Sequence, residues 1–199
     1  MRFTESGPTP PDVLFRLSTA VGTLVLDAIL LLLMLLIARG LPLRDAFALR
    51  QPPSWSDAAR IAGVALVATW ATSFALEVAV GHAAREQAVP QFWDEARLPA
   101  FVANAFAIAV FVPVVEELMC RGIGFTLLQR WGTPVAVVGS AIAFALAHGA
   151  VLDLPWVLVT GLGLGYLRSR TGSVYPPIAL HVTINGIAVL AAGLIARGG

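Results

Sequence analysis

Hydrophobic residues in this chain come in long blocks separated by short polar or proline-rich interruptions, a pattern of bilayer-crossing helices and not of alternating strands. A span takes roughly 20 mainly apolar residues at about 1.5 Å rise each. Six segments reach or approach that length: residues 14–38, 58–80, 98–119, 134–149, 154–167 and 174–196. The fourth and fifth are short. Breaks fall at Leu41-Pro42, at Gln51-Pro52-Pro53, across the polar stretch 82–97, at Gly132-Thr133-Pro134, and across 152–155 and 172–177. The expectation is an all-α, polytopic membrane helical bundle of about six transmembrane helices. Pro176-Pro177 cannot lie deep in a helix but can open one, which puts His181 about one turn into the last span.

Composition agrees with lipid as the solvent. Of 199 residues, 58% are hydrophobic and only 13% charged, against about 25% charged in soluble domains. A net charge of +1 without any basic run gives no case for nucleic acid as a partner. The one cysteine, Cys120, leaves no intrachain disulfide or Cys-rich metal cluster. The start is polar and proline-rich, and the apolar run after it exceeds the ~7–15 residues of a signal h-region, so it reads as a retained span. Every basic residue is arginine, which with the abundant alanine suggests a GC-rich bacterial genome.

Arginine placement gives an orientation. Arg39, Arg44, Arg50, Arg60, Arg121, Arg130, Arg168 and Arg170 fall on one side, and Arg2, Arg16, Arg85, Arg97 and Arg197 on the other. The excess predicts a multi-pass inner-membrane protein with the first group cytoplasmic and both termini outside. Residues 1–97 read as an anchoring region of about two spans and a loop, and residues 98–199 as the core that holds the clustered chemistry.

That chemistry is three polar islands in apolar surroundings, where an unpaired ionisable group costs typically ~2.5–3.5 kcal/mol. In Glu116-Glu117-Leu118-Met119-Cys120-Arg121, Glu117 and Arg121 are four apart, on one helix face and in the favourable order. Adjacent carboxylates point about 100° apart, so Glu117 can pair with Arg121 while Glu116 faces a cavity as a general base. Pro113, just before, removes a backbone donor and loosens the helix there. His148, one turn after Phe144, can hold a water, bind a metal or pass a proton. His181 and Asn185 share a face and suit an oxyanion. Alone, each island also suits a structural role: a helix cap, an interfacial histidine, a polar pair between helices.

Other features read as packing or remain unassigned. Gly161 and Gly165 have the spacing of close helix contacts, as do Gly139, Ala143 and Ala147. Cys120 reads as packing. Asp27 is an acid near mid-span that can pair with another helix, Glu77 reaches the interface, and His82 is assigned nothing.

The motifs EExxxR, FxxxH and HxxxN, in this order over about ninety residues from Leu98, resemble the signature of the CPBP family. That family groups type II CAAX prenyl endopeptidases with bacteriocin-processing and immunity proteins (the Abi group). The resemblance implies a membrane endopeptidase with its site in a cavity open toward the cytoplasm. By it, Glu116 and His148 activate a water, His181 and Asn185 stabilise the oxyanion, and Glu117 and Arg121 hold the site in shape. Metal-free glutamate chemistry is favoured, with no cofactor. A Zn²⁺ alternative has Glu116, His148 and His181 as three ligands with an open fourth position.

The expected partners are a peptide or protein substrate and the lipid bilayer; the sequence assigns no oligomeric state. Two other readings compete with the endopeptidase. One is a non-catalytic scaffold or bacteriocin-immunity protein. The other is a proton- or ion-coupled transporter, which would show paired repeats with broken helices.

Overall fold

The structure, a computed structural model, describes residues 12–80, 93–149 and 152–198; most of the polar stretch 82–97, with His82, and the proline-rich start lie outside them. All regular structure among the described residues is helical. Helix α1 (Leu17–Ile37) leads through a single turn, α2 (Leu43–Ala46), to α3 (Trp55–Val80). Ser54 caps α3, its Oγ accepting the Asp57 N–H at 3.2 Å. Helix α4 runs without interruption from Glu95 to Trp131 and is followed by α5 (Thr133–His148), α6 (Leu154–Thr171) and α7 (Tyr175–Gly198). Gly149 and Gly172, at φ 66° and 64°, end α5 and α6 in the left-handed turn that glycine adopts without a Cβ penalty. Pro134, Pro155 and the Pro176-Pro177 pair sit in first turns, where a missing N–H costs nothing.

The six expected segments correspond to the six longer helices, with one instructive difference. The third was expected to stop at Met119, yet α4 continues through Arg121 to Trp131. Its charged residues do not end the helix, because they point inward and are paired there. Helices α1, α3, α4 and α7 are long and apolar enough to cross a membrane. Their outer faces expose Val64 (73%), Phe74 (69%) and Leu194 (72%), surface that suits lipid and not water. The chain is a multi-pass membrane protein.

Packing brings the helices around α4. Helix α5 lies along α6, and α3 along the other side of α6. Gly161 and Gly165 of α6 meet the backbone of Ala141 and Val137 so closely that a Cβ would stand 3.1 and 3.2 Å from the nearest atoms. The stripe Gly139, Ala143 and Ala147 is not that interface: Gly139 faces Leu128 of α4, and Ala143 is exposed.

Helix α1 runs parallel to α4. Asn104 donates to the carbonyls of Leu14 and Arg16 at 3.0 Å each, and further along Met34 joins Val115 and Ile123 in one buried cluster. Phe47 completes that cluster against Gly122, where a Cβ would lie 3.0 Å from its ring. At the same end the Val174 N–H donates to the Ala48 carbonyl at 3.2 Å, joining the turn before α7 to the turn after α2.

Candidate active site

Helix α4 is not a uniform α-helix. Two segments, Ala107–Phe111 and Leu118–Gly124, widen to π-helical hydrogen bonding, a local form often found at functional sites. Between them lie the ordinary turns Val112–Glu117, ending in the acid pair. The second widening depends on glycine: a Cβ on Gly124 would stand 2.7 Å from the Met119 carbonyl oxygen.

Glu117 and Arg121 are both fully buried. The Arg121 guanidinium donates to Glu117 Oε1 at 2.9 Å and to the Gly161 carbonyl at 2.8 Å. Its face lies over the Phe144 ring, with Cζ 4.5 Å from the centroid. Burying such a pair is costly unless the geometry is good, and here the cation is held from three helices. Glu117 Oε1 also accepts from His181, whose Nδ1 lies 3.0 Å away. With Nδ1–H committed to a carboxylate, His181 is left with Nε2, which lies 3.8 Å from Glu116 Oε2. Glu116 is partly exposed, its side chain 18% accessible, whereas the His181 side chain is 4% accessible.

The second imidazole is fixed from the other side. His148 Nδ1 lies 2.9 Å from the Phe144 carbonyl, an oxygen that can only accept. Nδ1 therefore carries the proton, and a neutral His148 has its Nε2 lone pair free. Phe144 connects the two histidines, with ring centroids 4.5 Å from His148 and 5.4 Å from His181. One aromatic ring thus touches the arginine and both imidazoles. Asn185, one turn beyond His181, donates one amide N–H to the Ile108 carbonyl at 3.0 Å.

The structure thus brings Glu116, Glu117, Arg121, His148 and His181 into one connected set around Phe144, with Asn185 anchored next to it on α7. Sequence reasoning had not singled out Arg168, which was counted only for orientation. It is buried on α6, donates to the Arg121 carbonyl at 2.9 Å and lies over the Phe125 ring. Its spacing from Gly161 and Gly165 puts it on their close-packed helix face, which its exposed neighbour Arg170 does not share. Asp27 is buried in α1. The parallel register places it opposite the acid pair, within electrostatic reach of Glu116.

Among the described residues, no group of three or more His, Cys, Asp or Glu side chains is placed to hold a metal ion. A mostly apolar cleft of about 340 Å³ opens between α3, α6 and α7, lined by Thr69, Trp70, Trp156 and Ile184 among others.

With this geometry in place, comparison with known proteins is informative at one level. Residues 98–187 match the model of the family described as type II CAAX prenyl endopeptidase Rce1-like. This match, over just under half of the chain, supports membership of the CPBP family. The matched segment begins with the first apolar turns of α4 and ends just after Asn185, so it spans all three motifs. At family level the activity is that of a membrane endopeptidase, an intramembrane protease. No curated protein and no solved structure matches the chain.

Proposed function

We propose that this protein hydrolyses a peptide bond of a membrane-associated peptide or protein, using a water activated by Glu116 and His148. The observation that carries the proposal is the shared oxygen of Glu117: one carboxylate oxygen holds Arg121 at 2.9 Å and His181 at 3.0 Å. Glu117 is thereby occupied with structure, and the more accessible Glu116 is the carboxylate left for chemistry. Glu116 takes the proton of a water while the oxygen adds to the scissile carbonyl. His148 Nε2 serves the same water. Asn185 binds the oxyanion together with His181 in its doubly protonated form, whose Nδ1–H stays on Glu117 and whose Nε2–H donates, and the proton on Glu116 passes to the leaving amine as the carbonyl re-forms. Glu117 and Arg121 keep the site in shape. In this reading no metal takes part.

The substrate is a leader peptide, bacteriocin precursor or membrane protein cut near its anchored end, in a bacterial inner membrane. The site opens on the cytoplasmic side. The contact between the turns after α2 and before α7 supports that orientation, because it gathers the arginine-rich loops at one end.

The test uses detergent-purified protein and a quenched-fluorescent prenylated CAAX peptide. Wild type cleaves it, and Glu116→Gln lowers the rate about 10²–10⁴-fold at an unchanged melting midpoint. Wild-type turnover by Glu116→Gln would remove Glu116 from the mechanism. A retained biological effect in Glu116→Ala would point to a scaffold or immunity protein. A chelator is expected to leave the rate unchanged; loss of activity with zinc-specific recovery would establish the metal alternative.

A further inference from the structure

The widening of α4 just before the acid pair has a consequence for Asn185. In this segment the hydrogen bonds step back five residues: the Val112 N–H donates to the Ala107 carbonyl. The same step taken one residue on makes the Ile108 carbonyl the acceptor for residue 113. That residue is Pro113, which has no N–H. A carbonyl shielded from water and without a donor is costly, and this partly buried one is supplied from another helix: Asn185 Nδ2 donates to Ile108 O at 3.0 Å. The second widened segment also has a carbonyl supplied from another helix, there without a proline, since the residue five positions on is Thr126. There the Phe125 N–H reaches past the Arg121 carbonyl to Cys120, and Arg168 Nε of α6 donates to Arg121 O.

A carboxamide presents an oxygen at one end and two N–H groups at the other, in one plane. An oxyanion is stabilised by the N–H end and repelled by the oxygen end. With its Cβ on α7 and one N–H on Ile108, the Asn185 amide cannot turn over without leaving that carbonyl unpaired. Its plane, and so the direction of the second N–H, is fixed.

We propose that Pro113 is a positioning residue for Asn185. By withholding the N–H due to Ile108, it makes that carbonyl an anchor that sets which end of the amide faces the substrate. The catalytic half of this statement rests on the endopeptidase reading above; the structural half stands without it.

Four detergent-purified proteins test it: wild type, Pro113→Ala, Asn185→Ala and the double variant. Each is examined for melting midpoint and for cleavage of the peptide used above. Asn185→Ala is expected to lower the midpoint by roughly 4 °C. In the Pro113→Ala background, where residue 113 can donate to Ile108, the loss is expected to shrink to about 1 °C. Pro113→Ala alone is expected to lower kcat about tenfold at unchanged KM, and to add nothing in the Asn185→Ala background. Additive melting losses would overturn the proposal, as would a Pro113→Ala enzyme with wild-type kcat. If Asn185→Ala does not accumulate alone, its recovery in the Pro113→Ala background supports the anchor, and failure in both backgrounds overturns it. If wild type cleaves no peptide, the endopeptidase reading fails while the melting cycle still decides the anchor.

Discussion

Helices α3 and α4 are both long enough to span a bilayer, and α4 has the higher mean hydropathy. Yet α4 is the helix with a fully buried glutamate and arginine. Two threonines of α3 are settled locally or by a single neighbour: Thr72 bonds back to its own Ala68 carbonyl, and Thr69 accepts from Thr160 at 3.1 Å. Glu117 and Arg121 of α4 need helices from elsewhere in the chain in addition to their own pair within α4, through His181, Gly161 and Arg168. Average apolarity therefore says where a helix lies and nothing about what it does. The difference is whether its polar groups can be satisfied without partners.

Breaking the α4 network should show this most strongly. Arg121→Ala leaves the Glu117 carboxylate buried beside His181 without its cation, and is expected to cost about 3–5 kcal/mol of stability, read as a fall in melting midpoint in detergent. A loss below about 1 kcal/mol would mean that the pair is not sealed from water. His181→Ala removes a group from the proposed oxyanion site. It should lower kcat on the order of 10²–10³-fold with KM little changed, and an effect on KM alone would assign His181 to binding.

On the α3 side the expected costs come from packing. Gly163 of α6 faces Ala65 of α3 so closely that a Cβ would stand 2.8 Å away, so Gly163→Ala should destabilise by about 1–3 kcal/mol while a folded variant keeps its kcat. A kcat loss as large as that of His181→Ala would show α3 to be part of the chemistry.

The smallest effect is expected at the opposite end of the bundle. Hydrogen bonds from Arg16 and then Arg97 hold the Asp12 carboxyl below its ordinary 3.8, and Arg97 does the same for Asp94. Because the folded value is the lower one, their contribution is present above about pH 3.8 and is lost as the pH falls below it. Asp12→Asn should flatten the fall in melting midpoint between pH 5 and 3 slightly, without altering the neutral-pH value by much. An unchanged acid slope would show that the cluster is screened at the surface.

The acid pair, the two histidines and Asn185 were legible because polar residues deep in apolar runs are costly without a purpose, and their spacing gave a shared helix face. The partners of these groups were less legible. That Glu117 serves both Arg121 and His181 depends on the relative height of α4 and α7, which no local pattern encodes. The Asn185–Ile108 and Arg168–Arg121 bonds arise from a shift in backbone bonding within α4, and such a shift leaves the apolar periodicity nearly intact. Pro113 was the one visible hint of it. The end of α4 was misjudged for a related reason: charge was taken as the mark of a membrane boundary, whereas here it faces inward. Asp27 could be recognised as unusual, but its level opposite Glu116 follows only from the parallel register of α1.

That register also limits how portable the site is. The family match covers residues 98–187, yet one flank of the acid-bearing helix is walled by Met34 and Phe47, which precede the match. A chimera that transplanted only the matched stretch into a foreign scaffold would leave Val115, Ile123 and Gly122 facing acyl chains. The transplant would need a replacement for that wall before its carboxylates could keep their geometry.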